Sequence, residues 1–126
     1  MSVNFISCIS FCGYPSILKK EWKAGNLPTI KKGLYGGVLT IDNCSIEHIE
    51  AKSKGGKSNL SNYALASKKN NIERGNNNIH NFLTINMVKE YLSQFIGVKT
   101  KNGFNGNEYI NLLTRTFEKM GFNFNS

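Results

Sequence analysis

CSIEHIEAKSKGGKSNLSNYALASKKNNIERG, residues 44–75, is the most heavily patterned part of the sequence. It opens on an acid–imidazole pair, Glu47-His48, runs through a loop with Gly55-Gly56 and the lysines 52, 54 and 57, and closes on Arg74-Gly75. His48, Asn62 and Asn71 punctuate it at intervals of fourteen and nine residues. Cys44 to Ile49 alternates as a strand does. Cys44, Ile46 and His48 fall on one face, and Ser45, Glu47 and Ile49 on the other. Just upstream, Val38-Leu39-Thr40-Ile41 is apolar and β-branched, and Asp42-Asn43 has turn chemistry because both residues tolerate the left-handed region. The pattern predicts a hairpin of 38–41 with 44–49. Gly55-Gly56 breaks any helix over 51–61. Tyr63-Ala64-Leu65 is a further short strand candidate. Ser67 is placed to cap a helix over 68–74, which Gly75 ends. Asn70 and Asn71 are weak helix formers, each costing up to about 0.7 kcal/mol against Ala. Local stability does not explain them.

These residue types suit the cleavage of a phosphodiester. The attacking water must lose a proton, and the charge on the phosphorane and the leaving oxygen must be neutralised. A neutral imidazole takes a proton near pH 7. A hard divalent cation bound through oxygens does much of the rest. Glu47 offers a carboxylate beside His48, and Asn71 offers an amide oxygen from the following helix. Arg74 lies one turn beyond Asn71 on the same helix face, where it is expected to hold a phosphate. Adjacent strand residues point to opposite faces, so the strand is expected to end or bend at Glu47-His48. A phosphate-binding P-loop is excluded. Gly56-Lys57-Ser58 resembles its tail, but the required first glycine is Ala51.

In this order and spacing, Glu-His-Ile, the Gly-Gly loop, Asn before an apolar run and Asn-x-x-Arg-Gly resemble the HNH endonuclease family. Its ββα-metal site is a β-hairpin followed by a helix that grips one divalent cation. The resemblance spans residues 44–75 and implies an α+β fold with a ββα-metal core over about 37–76. It implies His48 as general base and Asn62 as the residue bracing the loop and orienting that base. Glu47 and Asn71 become the ligands of one Mg²⁺ or Mn²⁺ ion, with Asn70 a competing candidate for the second position. Lys52, Lys54, Lys57 and Arg74 become contacts to the DNA backbone. A 3′-oxygen leaving group and 5′-phosphate ends follow from the same chemistry. Glu47 departs from the more usual Asp by one methylene. Many members also carry a structural zinc on two Cys pairs. Here Cys8 and Cys12 resemble a first pair with one extra residue, but Ser67 and Asn70 stand where the second would be. Cys44 and His80 fit no zinc spacing, so no structural zinc is expected. The alternatives on the same scaffold are a non-catalytic DNA-binding module and a protein-interaction factor. Small stand-alone proteins of this kind resemble those carried by phages or mobile elements.

The rest of the chain reads as support. At 126 residues it is expected to form one domain, with an N-terminal extension over 1–36 and a helical part over 80–126. A strand is expected over 3–12 and a helical turn or two over 16–24, with Trp22 as a core anchor. Residues 84–96 carry apolar side chains at helical spacing up to Gly97. A second helix is expected from an Asn107 cap to Gly121. These apolar stripes read as core, or as the contact of a homodimer if the protein is not a monomer. His80, Glu50 and Glu73 read as solvated. Sixteen Lys and Arg against eight Asp and Glu give a net charge of +8. That balance favours a polyanionic partner, here DNA, through counterion release. The basic residues are nearly all lysine, which suits phosphate attraction more than reading of guanine. The apolar start has no basic region and is broken by Gly13 and Pro15, so neither a signal peptide nor a membrane span is expected. Three cysteines and no leader place the expectation in the cytoplasm.

Overall fold

The structure, a computed structural model, describes residues 17–125. The strand expected over 3–12, and with it Cys8 and Cys12, lies outside the described residues. Among the described residues the chain is α+β, a two-stranded antiparallel hairpin with four helices. The order is α1 (Ile17–Lys23), β1 (Cys44–His48), β2 (Tyr63–Ser67), α2 (Lys68–Arg74), α3 (Ile85–Ser93) and α4 (Gly106–Lys119). Single 3₁₀ turns occupy Lys52–Lys54, Leu60–Asn62 and Ile79–Asn81. None of these helices is long and apolar enough to cross a membrane.

The hairpin is not the one the sequence predicts. β1 pairs with β2, in the register Cys44↔Ser67 to His48↔Tyr63, and not with 38–41. Residues 40–43 fold into a turn instead. The Asn43 amide accepts from the Thr40 N–H at 2.8 Å and donates to the Val38 carbonyl at 3.1 Å. Val38 makes only an isolated bridge to Lys32. Burial decides between the partners. Val38 and Ile41 are 64% and 62% exposed, whereas every residue from Tyr63 to Ala66 is fully buried. At about 25 cal/mol per Å² of apolar area, the second segment is the one that gains from pairing.

A two-stranded sheet leaves two open edges, whose backbone groups need partners once buried. Side chains supply most of them. Along β2, the Leu65 carbonyl accepts from the Leu34 N–H at 2.8 Å. The Leu65 N–H donates to the Tyr91 hydroxyl at 2.9 Å. That hydroxyl lies 2.9 Å from the Tyr109 hydroxyl, which donates to the Tyr63 carbonyl at 2.6 Å. Tyr91 therefore gives its own proton to Tyr109, and the relay runs one way from Leu65 to Tyr63. Along β1, the Ile46 carbonyl accepts from the Asn71 amide at 2.9 Å and the His48 carbonyl from the Arg74 guanidinium at 2.7 Å. α3 and α4 thus close one edge and α2 the other.

The helices carry the core on their inner faces: Leu18 from α1, Val88, Tyr91 and Leu92 from α3, and Tyr109, Leu113 and Phe117 from α4. Trp22 is half-buried and donates its indole N–H to the Ile30 carbonyl. α3 stops at Ser93, short of the expected 96. α4 is capped by Asn105, which accepts from the Glu108 N–H at 3.0 Å, and not by Asn107. Asn107 accepts from the Gly97 N–H instead. The earlier start is possible because position 106 is glycine. A Cβ there would lie 2.0 Å from the Phe95 carbonyl oxygen. α4 also reaches back to the site loop, where Thr116 donates to the Ser61 carbonyl at 2.5 Å.

Candidate functional site

Glu47 is the penultimate residue of β1, opposite Ala64, and is only 3% exposed. Its two close side-chain partners both meet one oxygen, Oε2, and the His48 backbone also stabilises the carboxylate. The Tyr35 hydroxyl donates to it at 2.5 Å, and an Arg74 Nη1 lies 3.4 Å away. Burial raises the carboxyl above its ordinary value, a rise that the Tyr35 hydrogen bond and the Arg74 charge offset only in part. The Tyr35 phenol is itself held far above its usual value by burial and by the Glu47 charge. It therefore stays a proton donor.

His48 is the last residue of β1 and is half-buried. Its ring meets Tyr63, its cross-strand neighbour, edge-on at 5.1 Å. Burial, then the charges of Lys52 and Arg74, lower its pKa from the ordinary 6.5. The imidazole is therefore neutral at pH 7. The strand runs regularly through both residues, so Glu47 and His48 leave it on opposite sides. The two side chains meet different partners and share no hydrogen bond.

Asn62 is buried and fully engaged. Its Oδ1 accepts from the Glu50 N–H at 2.8 Å, and its Nδ2 donates to the Glu50 carbonyl at 3.0 Å and the Lys57 carbonyl at 2.9 Å. One amide thus ties together both ends of the loop that follows His48. Asn71 uses its Nδ2 on the Ser45 hydroxyl at 3.1 Å and the Ile46 carbonyl at 2.9 Å. Its Oδ1 carries no hydrogen bond among the described residues. Asn70 spends its side chain locally, accepting from the Ser67 hydroxyl and donating to Glu73. Of the two neighbouring amides, Asn71 is the one that meets β1.

Lys52, Lys54 and Lys57 are exposed on the loop. Arg74 is not where a phosphate contact should be. It is 2% exposed, and it bonds the His48 carbonyl, the Asn77 carbonyl at 2.8 Å and the Glu47 carboxylate. The expectation that it approaches DNA gives way to a structural task, because a guanidinium has the several planar donors that this junction needs. Glu50 is half-buried and lies 3.4 Å from Lys119. His80 stacks on Phe122 and meets the Met120 carbonyl at 2.7 Å. Cys44 is buried, and its thiol pKa is raised by that burial.

Tyr35 is the participant that the pattern of 44–75 does not reveal. It rides on a tight turn in which Gly36 N–H donates to the Gly33 carbonyl at 3.0 Å. Gly33 is pressed so close to β2 that a Cβ would fall 2.8 Å from the Ala66 Cα. The glycines at 33, 36 and 37 around one tyrosine are the signal the sequence carries for it.

The donors fit a hard divalent cation in kind. The Asn71 amide oxygen is left over by the hydrogen bonds of its own nitrogen, and the Glu47 carboxylate belongs to the next strand residue after Ile46, whose carbonyl Asn71 holds. Carboxylate and amide oxygens are the ligands such ions take. No group of three or more His, Cys, Asp and Glu side chains suited to a metal occurs among the described residues. No protein-family model matches the chain, and no curated protein or solved structure shows significant similarity to it.

Proposed function

We propose that the chain is a metal-dependent DNA endonuclease on a ββα-metal (HNH) core, with His48 as general base. The observation that carries this reading is the docking of Asn71 on β1. It joins the helix after the hairpin to the strand bearing Glu47 and His48, and it leaves an amide oxygen free. A hard divalent ion, Mg²⁺ or Mn²⁺, bound by Glu47 and Asn71 would neutralise charge on the phosphoryl and leaving oxygens. His48, neutral at pH 7, takes the proton from the attacking water at an imidazole nitrogen. Asn62 fixes the loop after His48, and Lys52, Lys54 and Lys57 on that loop draw in the phosphate backbone. Because Glu47 and His48 leave β1 on opposite sides, this mechanism requires the scissile phosphate to lie across the end of the strand. One site per chain suits nicking by a monomer or double cutting by a homodimer.

The test is to incubate supercoiled plasmid with purified protein and Mg²⁺ or Mn²⁺, beside His48→Ala and an EDTA control. Nicked or linear products with the wild type alone support the reading. Equal cleavage in all three arms, or none with either ion, defeats it. One observation favours a second reading, a non-catalytic DNA-binding module. Glu47 already has an Arg74 charge and a Tyr35 donor on one oxygen. That reading predicts salt-dependent DNA binding without cleavage.

A further inference from the structure

We propose that Tyr35 positions the Glu47 carboxylate for cation binding, an inference that rests on the nuclease reading above. A carboxylate on a strand can rotate about its last bond and offer either oxygen. Here Oε2 is pinned from two directions, by the Tyr35 hydroxyl at 2.5 Å and the Arg74 guanidinium at 3.4 Å. Pinning one oxygen fixes where the other points. Hydrogen bonds to ligating carboxylates set ligand orientation in metal sites, and their loss typically weakens metal binding by about 10- to 100-fold.

The two clamps differ in kind. Arg74 also holds the His48 and Asn77 carbonyls, so it is needed for the fold. The Tyr35 hydroxyl donates to Glu47 and lies beside Arg74, while its ring packs against the core; removing the hydroxyl alone leaves that packing and the Arg74 bonds to the two carbonyls in place. The turn carrying it is nonetheless built with care. Leu34 is buried and its N–H is bonded to the Leu65 carbonyl at 2.8 Å. Gly33 is packed against Ala66. The backbone thus brings the phenol to Glu47 from a segment twelve residues upstream of it.

Tyr35→Phe tests this, since it removes the hydroxyl and keeps the ring. Mn²⁺ affinity is measured by calorimetry on wild type and variant without DNA, and plasmid cleavage is measured across Mn²⁺ concentration. DNA affinity in EDTA and the thermal midpoint serve as readouts of folding. The expected result is an Mn²⁺ Kd raised about tenfold, cleavage that recovers towards wild type as Mn²⁺ saturates, and unchanged DNA affinity in EDTA. The inference is overturned if the wild type binds Mn²⁺ and nicks while Tyr35→Phe has the same Kd. It is also overturned if the loss of Mn²⁺ affinity comes with a matching fall in midpoint and DNA affinity, which would make Tyr35 a packing residue. If the wild type binds no Mn²⁺ and does not nick, the nuclease reading itself has failed and Tyr35 falls with it.

Discussion

His48 and Tyr63 face each other across the strands, and each carries a consequence of burial. Desolvation and two nearby cations hold the His48 pKa below 6.5. The native state therefore takes up this proton less readily than the unfolded chain does. Stability from neutral His48 is present above pH 6.5 and is lost as pH falls through the lower folded value. Urea unfolding at stepped pH should show wild type losing stability against His48→Gln on acidification below 6.5. A parallel dependence in both proteins would contradict the assignment. Tyr63 is fully buried, and its hydroxyl has no partner among the described residues. An unsatisfied buried hydroxyl costs about 1–3 kcal/mol, so Tyr63→Phe should raise the unfolding free energy by about 1 kcal/mol. At this scale the sequence was readable wherever a residue acts within its own segment. Asn62 is an example, since its partners lie within twelve residues. The Glu47 surroundings were not readable, because Tyr35 reaches it through a turn whose position depends on β2.

Between elements, the open edges of the hairpin are closed by side chains from the helices: Tyr91, Tyr109, Asn71 and Arg74. Tyr109→Phe leaves the Tyr63 carbonyl without its donor and breaks the relay from Leu65, and should cost about 1–3 kcal/mol. Thermal or urea unfolding measures it, and a neutral result would mean that the edge needs no such partner. Arg74→Ala strands the buried Glu47 carboxylate and two carbonyls. Removal of one partner of a buried pair typically costs about 3–5 kcal/mol. A folded, stable Arg74→Ala whose only defect is weak DNA binding would restore the phosphate-contact role that burial argues against. The α2 cap at Ser67, its stop at Gly75 and the apolar stripes of α3 and α4 were legible from local rules. The pairing of β1 was not. Residues 38–41 and 63–67 both look like strands, and turn chemistry at 42–43 favoured the wrong one. Only the tertiary burial of Tyr63 to Ala66 separates them.

For the whole molecule, the proposed DNA binding, helped by a net charge of +8, should weaken steeply with salt. Lys52, Lys54 and Lys57 are exposed on one loop beside the candidate site. Replacing all three with Gln should lower the slope of log K against log salt by roughly 3, about 0.9 for each phosphate that is no longer neutralised. An unchanged slope would move the DNA path elsewhere on the surface. The ββα order, the braced loop and the neutral imidazole all bear on one claim: that Glu47 and Asn71 hold a single cation across α2 and β1. Anomalous diffraction at the manganese edge from Mn²⁺-soaked crystals tests it most directly. One strong peak is expected within coordination distance of a Glu47 carboxylate oxygen and the Asn71 amide oxygen. A map with no peak there, or with the ion bound at other residues, would contradict it.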